Sequence, residues 1–261
     1  MSSSLSAERQ HHIQVAAGEV GRYVFLPGDP GRCEPIARLF DDPVLVAKNR
    51  EYETWTGYLD GEKVSVTSTG IGCPSAAIAM EELVKVGADT FIRVGTSGSM
   101  QPEIPPGDLG VISGAIRDEG TSSHYLPIEF PAVADIDVTR ALAIGARRAG
   151  ATVHVGISQS KDSFYGQHEP ARMPVAKRLQ DRWAAWMAGG AICSEMEAAA
   201  LYIVAATLGV RAGGIMMIMG HWDMAPMTDE EIARGTLDNL LPQAVEGLRE
   251  LIAQDREAGR A

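Results

Sequence analysis

The sequence predicts an α/β fold in which a mixed, mainly parallel central sheet is flanked by helices on both faces. Apolar, β-branched segments of strand length alternate with amphipathic segments of about 10–15 residues. Glycine-rich turns follow several of the apolar segments, as they do at strand-to-helix junctions of such folds. No repeat, low-complexity tract or linker divides the 261 residues, so we expect one domain over residues 1–261.

The order of the elements follows from this alternation. Residues 22–28 predict a strand that ends in a turn, and Pro30 at a first-turn position predicts a helix over 30–40. The Asp60-Gly61 turn predicts a hairpin between strands 52–59 and 63–69. Further strands are expected at 90–95, 107–117, 152–159 and 211–219, and further helices at 74–86, 138–149, 170–186, 195–208 and 228–254.

Composition and charge restrict the classes of partner. A net charge of −11 and a pI of about 5.0 argue against binding to nucleic acid or to an anionic membrane. The longest apolar run, near residues 213–220, is too short to span a bilayer. Residues 1–12 contain no apolar signal segment and are expected to form a flexible arm. Three widely spaced cysteines, without a CxxC pair, favour reduced thiols and a cytoplasmic location.

Two segments suggest an anion site at the carboxyl edge of the sheet. The turn GDPGR at 28–32 offers backbone N–H groups at a helix start together with the Arg32 guanidinium, although an ordinary turn with a solvated arginine would read the same way. Arg93 lies inside an apolar strand, where a buried guanidinium requires a carboxylate partner or an anionic ligand. The GTSG segment at 95–98 beside it favours the ligand, and neither segment is a Walker loop or a dinucleotide fingerprint.

Ordered motifs along nearly the whole chain point to one family. They are LPGDPGR at 26–32, NREYETW at 49–55, STGIGCPS at 68–75, RVGTSG at 93–98, SFYGQ at 163–167 and SEMEAA at 194–199. Together they resemble the nucleoside phosphorylase superfamily, and LPIEFPAVAD at 126–135 is more similar to the uridine phosphorylase branch than to the purine branch. The resemblance implies a nucleoside phosphorylase-like fold and phosphorolysis of a nucleoside, uridine or another pyrimidine nucleoside first, to a free base and (deoxy)ribose 1-phosphate.

The resemblance also implies the site residues. Arg93, Thr96 and Glu197 match catalytic positions. The phosphate site matches Gly28, Arg32, Arg50, Arg93 and Thr96, with Arg50 donated by a neighbouring subunit, and the ribose site matches His12, Glu195, Met196 and Glu197, with His12 crossing the interface. An ionised carboxylate at 197 suits this role because it accepts hydrogen bonds from two sugar hydroxyls. The base site is assigned to Phe164, Gln167, His168 and Glu169.

Assembly and cofactors follow from the same resemblance. We expect a homo-oligomer whose catalytic unit is a dimer, assembled as a hexamer of three dimers. Inorganic phosphate is the expected co-substrate and no cofactor is required. Glu51, Ile71 and Ser75 match positions where some relatives bind a monovalent cation between subunits, so K⁺ at a dimer interface is a further expectation.

The match breaks at the base site. Uridine phosphorylases place an arginine two residues after the base-reading glutamine, and Glu169 stands there in this chain. A carboxylate accepts where the arginine donates, so Glu169 predicts poor use of uridine unless His168 or Arg172 replaces the arginine. Near His221 the Asn-Arg pair of the pyrimidine branch is absent, and Asp223 is a candidate acid by its likeness to the purine branch.

The sequence is also compatible with other functions. A purine or modified-nucleoside phosphorylase, a nucleoside hydrolase and a non-catalytic nucleoside-binding protein are the alternatives. Retention of Arg32, Arg50 and Arg93 argues against the hydrolase, because water as a nucleophile needs no cluster of cations to hold it.

Overall fold

The computed structural model describes residues 8–260 and contains one continuous sheet with helices on both sides. Its strands are β1 (Tyr23–Pro27), β2 (Asp41–Asn49), β3 (Tyr52–Leu59), β4 (Glu62–Thr67), β5 (Thr90–Ser99), β6 (Leu109–Asp118), β7 (Ala132–Val133), β8 (Val153–Lys161), β9 (Cys193–Glu195) and β10 (Arg211–Ile218). The α-helices are α1 (Cys33–Ala37), α2 (Cys73–Lys85), α3 (Ile136–Arg148), α4 (Phe164–His168), α5 (Ala176–Ala188), α6 (Ala198–Leu208), α7 (Asp229–Arg234) and α8 (Leu241–Glu257).

The sheet is mixed, which confirms the predicted fold class. Its order is β10-β6-β8-β9-β5-β1-β4-β3-β2, and β10 also pairs with β5. This extra pairing closes β5, β10, β6, β8 and β9 into a ring. Parallel pairings join β1 to β4 and β5, β5 to β10, and β8 to β6 and β9, whereas the remaining pairings are antiparallel. The carboxyl ends of β1, β5 and β10 therefore meet at one edge, whereas β6, β8 and β9 run in the opposite direction within the ring.

Strand alternation divides the core between the two faces of the sheet. On β1, Val24 and Leu26 pack in the cluster that contains residues of α2 and α6, whereas Tyr23 and Phe25 pack in the cluster that contains residues of α3 and α8. These β1 side chains are fully buried. Because a buried leucine or phenylalanine stabilises the fold by about 1.5–3 kcal/mol, the apolar clusters on both faces hold the strand ends in fixed positions.

Several element boundaries differ from the predictions for local reasons. Strand β2 was not predicted, since its first residues are polar, it contains Pro43, and it lies at an exposed edge with an irregular register against β3. Helix α6 starts at Ala198 rather than 195 because Cys193–Glu195 pairs as β9. The single helix expected over 228–254 is divided into α7 and α8, which are separated by a turn at Gly235 and a short 3₁₀ segment.

The predicted flexible arm at residues 1–12 is only partly described, since residues 1–7 lie outside the described part of the chain. Residues 8–12 pack against the domain, which corrects the prediction for that part. The backbone N–H groups of His12 and Ile13 each donate to Glu82 Oε2 at 2.9 Å, and His12 Nδ1 lies 2.6 Å from Glu82 Oε1. No helix within residues 8–260 is long and apolar enough to cross a membrane.

Candidate active site

A cleft of about 430 Å³ opens at the edge where the parallel strands end. Ligands of open α/β sheets bind at this edge, because turns there present backbone groups and side chains from several strands. The cleft is lined by Gly28, Asp29, Arg32, Ile71, Arg93, Thr96, Ser97, Gly98, Lys161, Phe164, His168, Ser194, Glu195, Met196, Glu197, Met219 and Gly220. The structure therefore brings together residues predicted for all three parts of a nucleoside and phosphate site.

A buried ion pair occupies one end of the cleft. Arg93 Nη2 lies 2.5 Å from Glu197 Oε2, and the two side chains are 6% and 3% exposed. Arg93 Nη1 donates to the Leu26 carbonyl at 3.2 Å, and Glu197 Oε1 accepts from the Gly72 N–H at 2.6 Å. The Arg93 Nε has no hydrogen-bond partner among residues 8–260. The sequence left open a carboxylate partner or an anionic ligand for Arg93, and the structure supplies the carboxylate without satisfying every donor.

Arg32 adds a second guanidinium at the same end. It is the last residue of a short 3₁₀ turn, which is capped by the Asp29 side chain accepting from the Gly31 N–H at 2.8 Å. Its buried Nε is unpartnered, and it forms no ion pair with a carboxylate in the described part of the chain. Burial and then the nearby Arg93 lower the pKa of Arg32. Two cations that repel one another across an open cleft fit an anion that would neutralise both.

Glycine at position 28 lets the backbone approach this cation pair. A Cβ there would lie 3.1 Å from the Gly70 carbonyl oxygen and 3.4 Å from Arg93 Nη1. Such contacts are tighter than most side chains tolerate, so a larger residue would displace either the turn or the guanidinium. Thr96, half-buried on β5, lines the same end of the cleft.

Glu195 is a fully enclosed carboxylate that orders the segment carrying Glu197. Its Oε2 accepts the backbone N–H groups of Glu197 and Ala198, each at 2.8 Å, and so caps the start of α6. Its Oε1 accepts from the Ser160 hydroxyl. Burial first, and then the neighbouring Glu197, raise the pKa of Glu195. Met196 between them lines the cleft, and its carbonyl accepts from the Cys73 thiol at 3.1 Å.

The opposite end of the cleft is aromatic and more open. Phe164, 50% exposed, is the first residue of α4, and its ring centroid lies 4.1 Å from that of His168. Burial and the Lys161 charge lower the pKa of His168, which favours the neutral imidazole. Gln167 does not line the cleft itself, but its Oε1 lies 2.7 Å from the hydroxyl of Ser194, which does.

Glu169 is not brought to the cleft. Its carboxylate forms an ion pair with Arg172 on the outside of the loop, and both side chains are about half exposed. The expectation that Glu169 faces the base therefore has no support in this arrangement, because its nearest cation holds it in solvent. Asp223, the candidate acid, is exposed and accepts from the Ala225 N–H at 3.0 Å, again outside the cleft.

The residues predicted to come from a neighbouring subunit also lie outside this chain's own cleft. Arg50 is exposed in the turn between β2 and β3, with a φ of 54°, and His12 is held by Glu82. The predicted cation ligands cluster near Gly70: a Cβ on that residue would contact both Glu51 and Ser75, and the Ser75 hydroxyl lies 3.4 Å from the Ile71 carbonyl.

Lys161 and Ser194 are among the cleft residues that were not predicted as site residues. Lys161 is 5% exposed at the end of β8, and its Nζ donates to Ser194 Oγ at 2.7 Å. The signal was available in the sequence, since a charge at the carboxyl end of a predicted strand poses the same problem as Arg93. Lys161 was not singled out, because it lies just beyond the predicted strand 152–159.

Comparison with known proteins identifies the family to which the chain belongs. The profile of the phosphorylase superfamily matches residues 22–253. A uridine phosphorylase of Treponema pallidum is 47% identical over 96% of this chain and 97% of its own length, and one of Thermococcus kodakarensis is 46% identical over 83% and 82%. A guanosine phosphorylase of Halorubrum lacusprofundi is 39% identical over 89% and 93%. The family resemblance predicted from the motifs is thereby confirmed, and the chain belongs to the phosphorylase superfamily.

Proposed function

We propose that this chain is a nucleoside phosphorylase that cleaves pyrimidine nucleosides, uridine first, to the free base and ribose 1-phosphate. The observation that carries the proposal is the pair of guanidinium groups, Arg32 and Arg93, converging on a cleft beside the buried Glu197. Uridine phosphorylases similar over nearly the full chain support this reaction and this class of base. Inorganic phosphate is the co-substrate, and the chemistry requires no further cofactor.

The roles of the residues follow from their positions. Arg32, Arg93, Thr96 and the backbone at Gly28 hold phosphate at the cationic end, which fixes the nucleophile and lowers the entropic cost of attack. Each Glu197 oxygen keeps a lone pair beyond its bonds to Arg93 and Gly72, and these accept the sugar hydroxyls. Glu195 serves as a positioning residue, because it is fully used in capping the helix that follows Glu197.

The reaction is a displacement at the anomeric carbon. A phosphate oxygen forms a bond to C1′ as the bond from C1′ to the base breaks, through a transition state with oxocarbenium character. The electron pair of the broken bond stays on the base, which takes up a proton from solvent, while the sugar phosphate releases the proton that phosphate brought. Phe164 stacks on the sugar and base, and no covalent enzyme intermediate is needed.

The proposal includes assembly of the complete site from two subunits. Arg50 and His12 lie outside the cleft of their own chain, which fits donation to a neighbour. A dimer is then the catalytic unit, and three dimers form a hexamer. Glu51, Ile71 and Ser75 would hold K⁺ at the interface, and buried cysteines without disulfides suit a cytoplasmic location.

Mixing two inactive variants tests the shared site. Arg50→Ala and Arg93→Ala damage the two halves of one composite site, so a mixed dimer contains one intact site. Random exchange of subunits should restore roughly a quarter of the parent activity, the share of intact sites. Sedimentation of the parent as a fully active monomer, or no recovery after demonstrated subunit exchange, would contradict the composite site.

A panel of nucleosides, incubated with and without phosphate, tests the function and its alternatives. Free uracil formed only with phosphate supports the proposal. Equal release without phosphate indicates a nucleoside hydrolase, and no release from any nucleoside indicates a binding protein. Guanosine belongs in the panel, because a guanosine phosphorylase is among the similar proteins, and preference for it over uridine would move the enzyme to the purine class.

A further inference from the structure

Lys161 is a buried cation whose role the proposed function does not explain. It ends β8 and lines the cleft beside Phe164 and His168. Its Nζ donates to Ser194 Oγ at 2.7 Å and approaches the Glu195 carbonyl at 3.5 Å. It forms no ion pair with a carboxylate within residues 8–260. Since an ammonium group has three hydrogens, at least one is left to point into the cleft.

The surroundings of Lys161 keep it available as a donor. Burial lowers its pKa to about 8, against the opposing influence of Glu195, Glu197, Cys193 and Asp118. Near neutral pH the group is therefore an ammonium, in a site where water screens its charge poorly. After burial, the same cation contributes to lowering the pKa of His168, and both residues line the cleft.

A hydroxyl and amide network fixes the position of the ammonium. Ser194 Oγ lies 2.6 Å from Gln159 Oε1 and 2.7 Å from Gln167 Oε1, and Gln159 Nε2 donates to Asp118 at 2.8 Å. Lys161 is thereby connected to Gln167, the residue that the family resemblance assigns to the base. Both residues also line a second cavity of about 290 Å³, so Lys161, which lines the cleft as well, lies between the cleft and this cavity.

We infer that Lys161 is the donor that stabilises the departing base, by a hydrogen bond from its ammonium to a ring carbonyl oxygen. This inference rests on the proposed phosphorolysis. As the bond from C1′ to the base breaks, the electron pair delocalises onto the ring carbonyls, and a fixed donor lowers the energy of that charge. Lys161 acts without transferring its own proton, since the base takes up a proton from solvent.

Glu169 and His168 do not supply a charged donor to the base. Glu169 is paired with Arg172 outside the cleft, which occupies both side chains. His168 packs on Phe164, and its lowered pKa favours the neutral ring. An ammonium donates only, so Lys161 favours a base that presents an oxygen and disfavours one that presents an amine at the same place. This reverses the base preference that Glu169 alone had suggested.

The test compares leaving groups of different acidity. Lys161→Met removes the donor at similar length, Lys161→Arg keeps a cationic donor, and Lys177→Met on the exposed face of α5 is the matched control. Uridine and 5-fluorouridine are compared at pH 6.5, where both are neutral and Lys161 is charged. For Lys161→Met we expect kcat/KM for uridine to fall about 100-fold, the usual effect of losing one fixed donor to developing charge. The more acidic fluorinated base needs the donor less, so the fall in kcat/KM for 5-fluorouridine should be about fivefold smaller than that for uridine.

A purely structural role would give a different pattern. If Lys161 only balances the charges of Glu195 and Glu197, Lys161→Met lowers kcat/KM for the two nucleosides by the same factor and raises the KM for phosphate. Equal losses on the two nucleosides, or no loss on either, overturn the inference. If the melting temperature shows that Lys161→Met does not fold, Lys161→Arg decides the question. Uridine cleavage by Lys161→Arg supports the inference, and activity as low as that of an inactive variant contradicts it.

A binding measurement separates this inference from the proposed function. If the parent shows no phosphate-dependent cleavage of any nucleoside, the proposed function fails by itself. Calorimetric binding of uracil to the parent and to Lys161→Met then tests the donor directly. Binding at least about tenfold weaker in the variant supports the hydrogen bond, and equal binding contradicts it.

Discussion

The two ends of the cleft are built in different ways. At the proposed phosphate end, Arg93 and Glu197 are almost fully buried and held by backbone groups of Leu26 and Gly72. At the proposed base end, Phe164 is half exposed on a helix of five residues, and Gln167 Oε1 accepts from the Ser194 hydroxyl. The cationic end is thus rigid before substrate arrives, whereas the aromatic end depends on a short helix and a side-chain network. In the proposed function, the first end holds the nucleophile and the second end selects the base.

The largest effect is expected from Arg93→Ala. Loss of a buried, charge-assisted contact to phosphate should raise the activation free energy by about 2–4 kcal/mol, which lowers kcat/KM roughly 30- to 1000-fold. The variant also leaves Glu197 unpaired, which should lower the free energy of unfolding by about 3–5 kcal/mol. Adding Glu197→Gln should recover most of the stability but none of the activity. Recovery of both would mean that the pair is structural only, and Arg38→Ala on the surface serves as the unaffected control.

A smaller effect with an opposite influence on stability is expected from Arg32→Ala. Its guanidinium lies near Arg93 and has no carboxylate partner among residues 8–260, so its removal relieves repulsion and should leave the melting temperature unchanged or raised without phosphate. The KM for phosphate should rise about 10- to 100-fold, corresponding to one lost charge-assisted bond. Thermal unfolding without phosphate measures the effect on the melting temperature, and steady-state kinetics measure the KM for phosphate. A lower melting temperature with an unchanged KM would show that Arg32 is structural.

At the base end, Phe164→Ala should raise the KM for the nucleoside. Stacking of a base on an aromatic ring contributes about 1–2 kcal/mol, so we expect roughly a 5- to 30-fold increase, with the KM for phosphate unchanged. Tyr165→Ala is a matched control, since Tyr165 is 55% exposed beside Phe164 and does not line the cleft. Equal effects of the two substitutions on steady-state kinetics would indicate that α4 is merely disturbed.

The smallest effect is expected from Glu169→Arg. Because Glu169 pairs with Arg172 in solvent, reversing its charge should change kcat/KM for uridine by less than about threefold, as for an ordinary exposed ion pair. Asp181→Arg, on an exposed pair of α5, gives the reference for a charge change alone. A gain of tenfold or more in uridine cleavage would return Glu169 to the base site.

The fold and the cationic end of the cleft could be predicted from the sequence more fully than the aromatic end, for physical reasons. Arg93 and Gly28 belong to strands and turns whose positions follow from local pattern, so their convergence at one edge was predictable. Glu169 was assigned by its distance along the chain from Gln167, but a short helix followed by a 3₁₀ turn directs it outward. Lys161 was missed because β8 extends to residue 161, beyond its predicted end. Contacts between distant segments, such as Lys161 with Ser194, are set by the closed ring of strands and leave no local signal.

The most direct test is the stoichiometry of the products. Uridine and inorganic phosphate are incubated with the protein, and ribose 1-phosphate is counted by ³¹P NMR against free uracil measured by absorbance. Phosphorolysis predicts one ribose 1-phosphate for each uracil, with neither product formed when phosphate is omitted. Uracil released together with free ribose, at a rate independent of phosphate, would contradict the assignment of the Arg32 and Arg93 cluster as the binding site of the nucleophile.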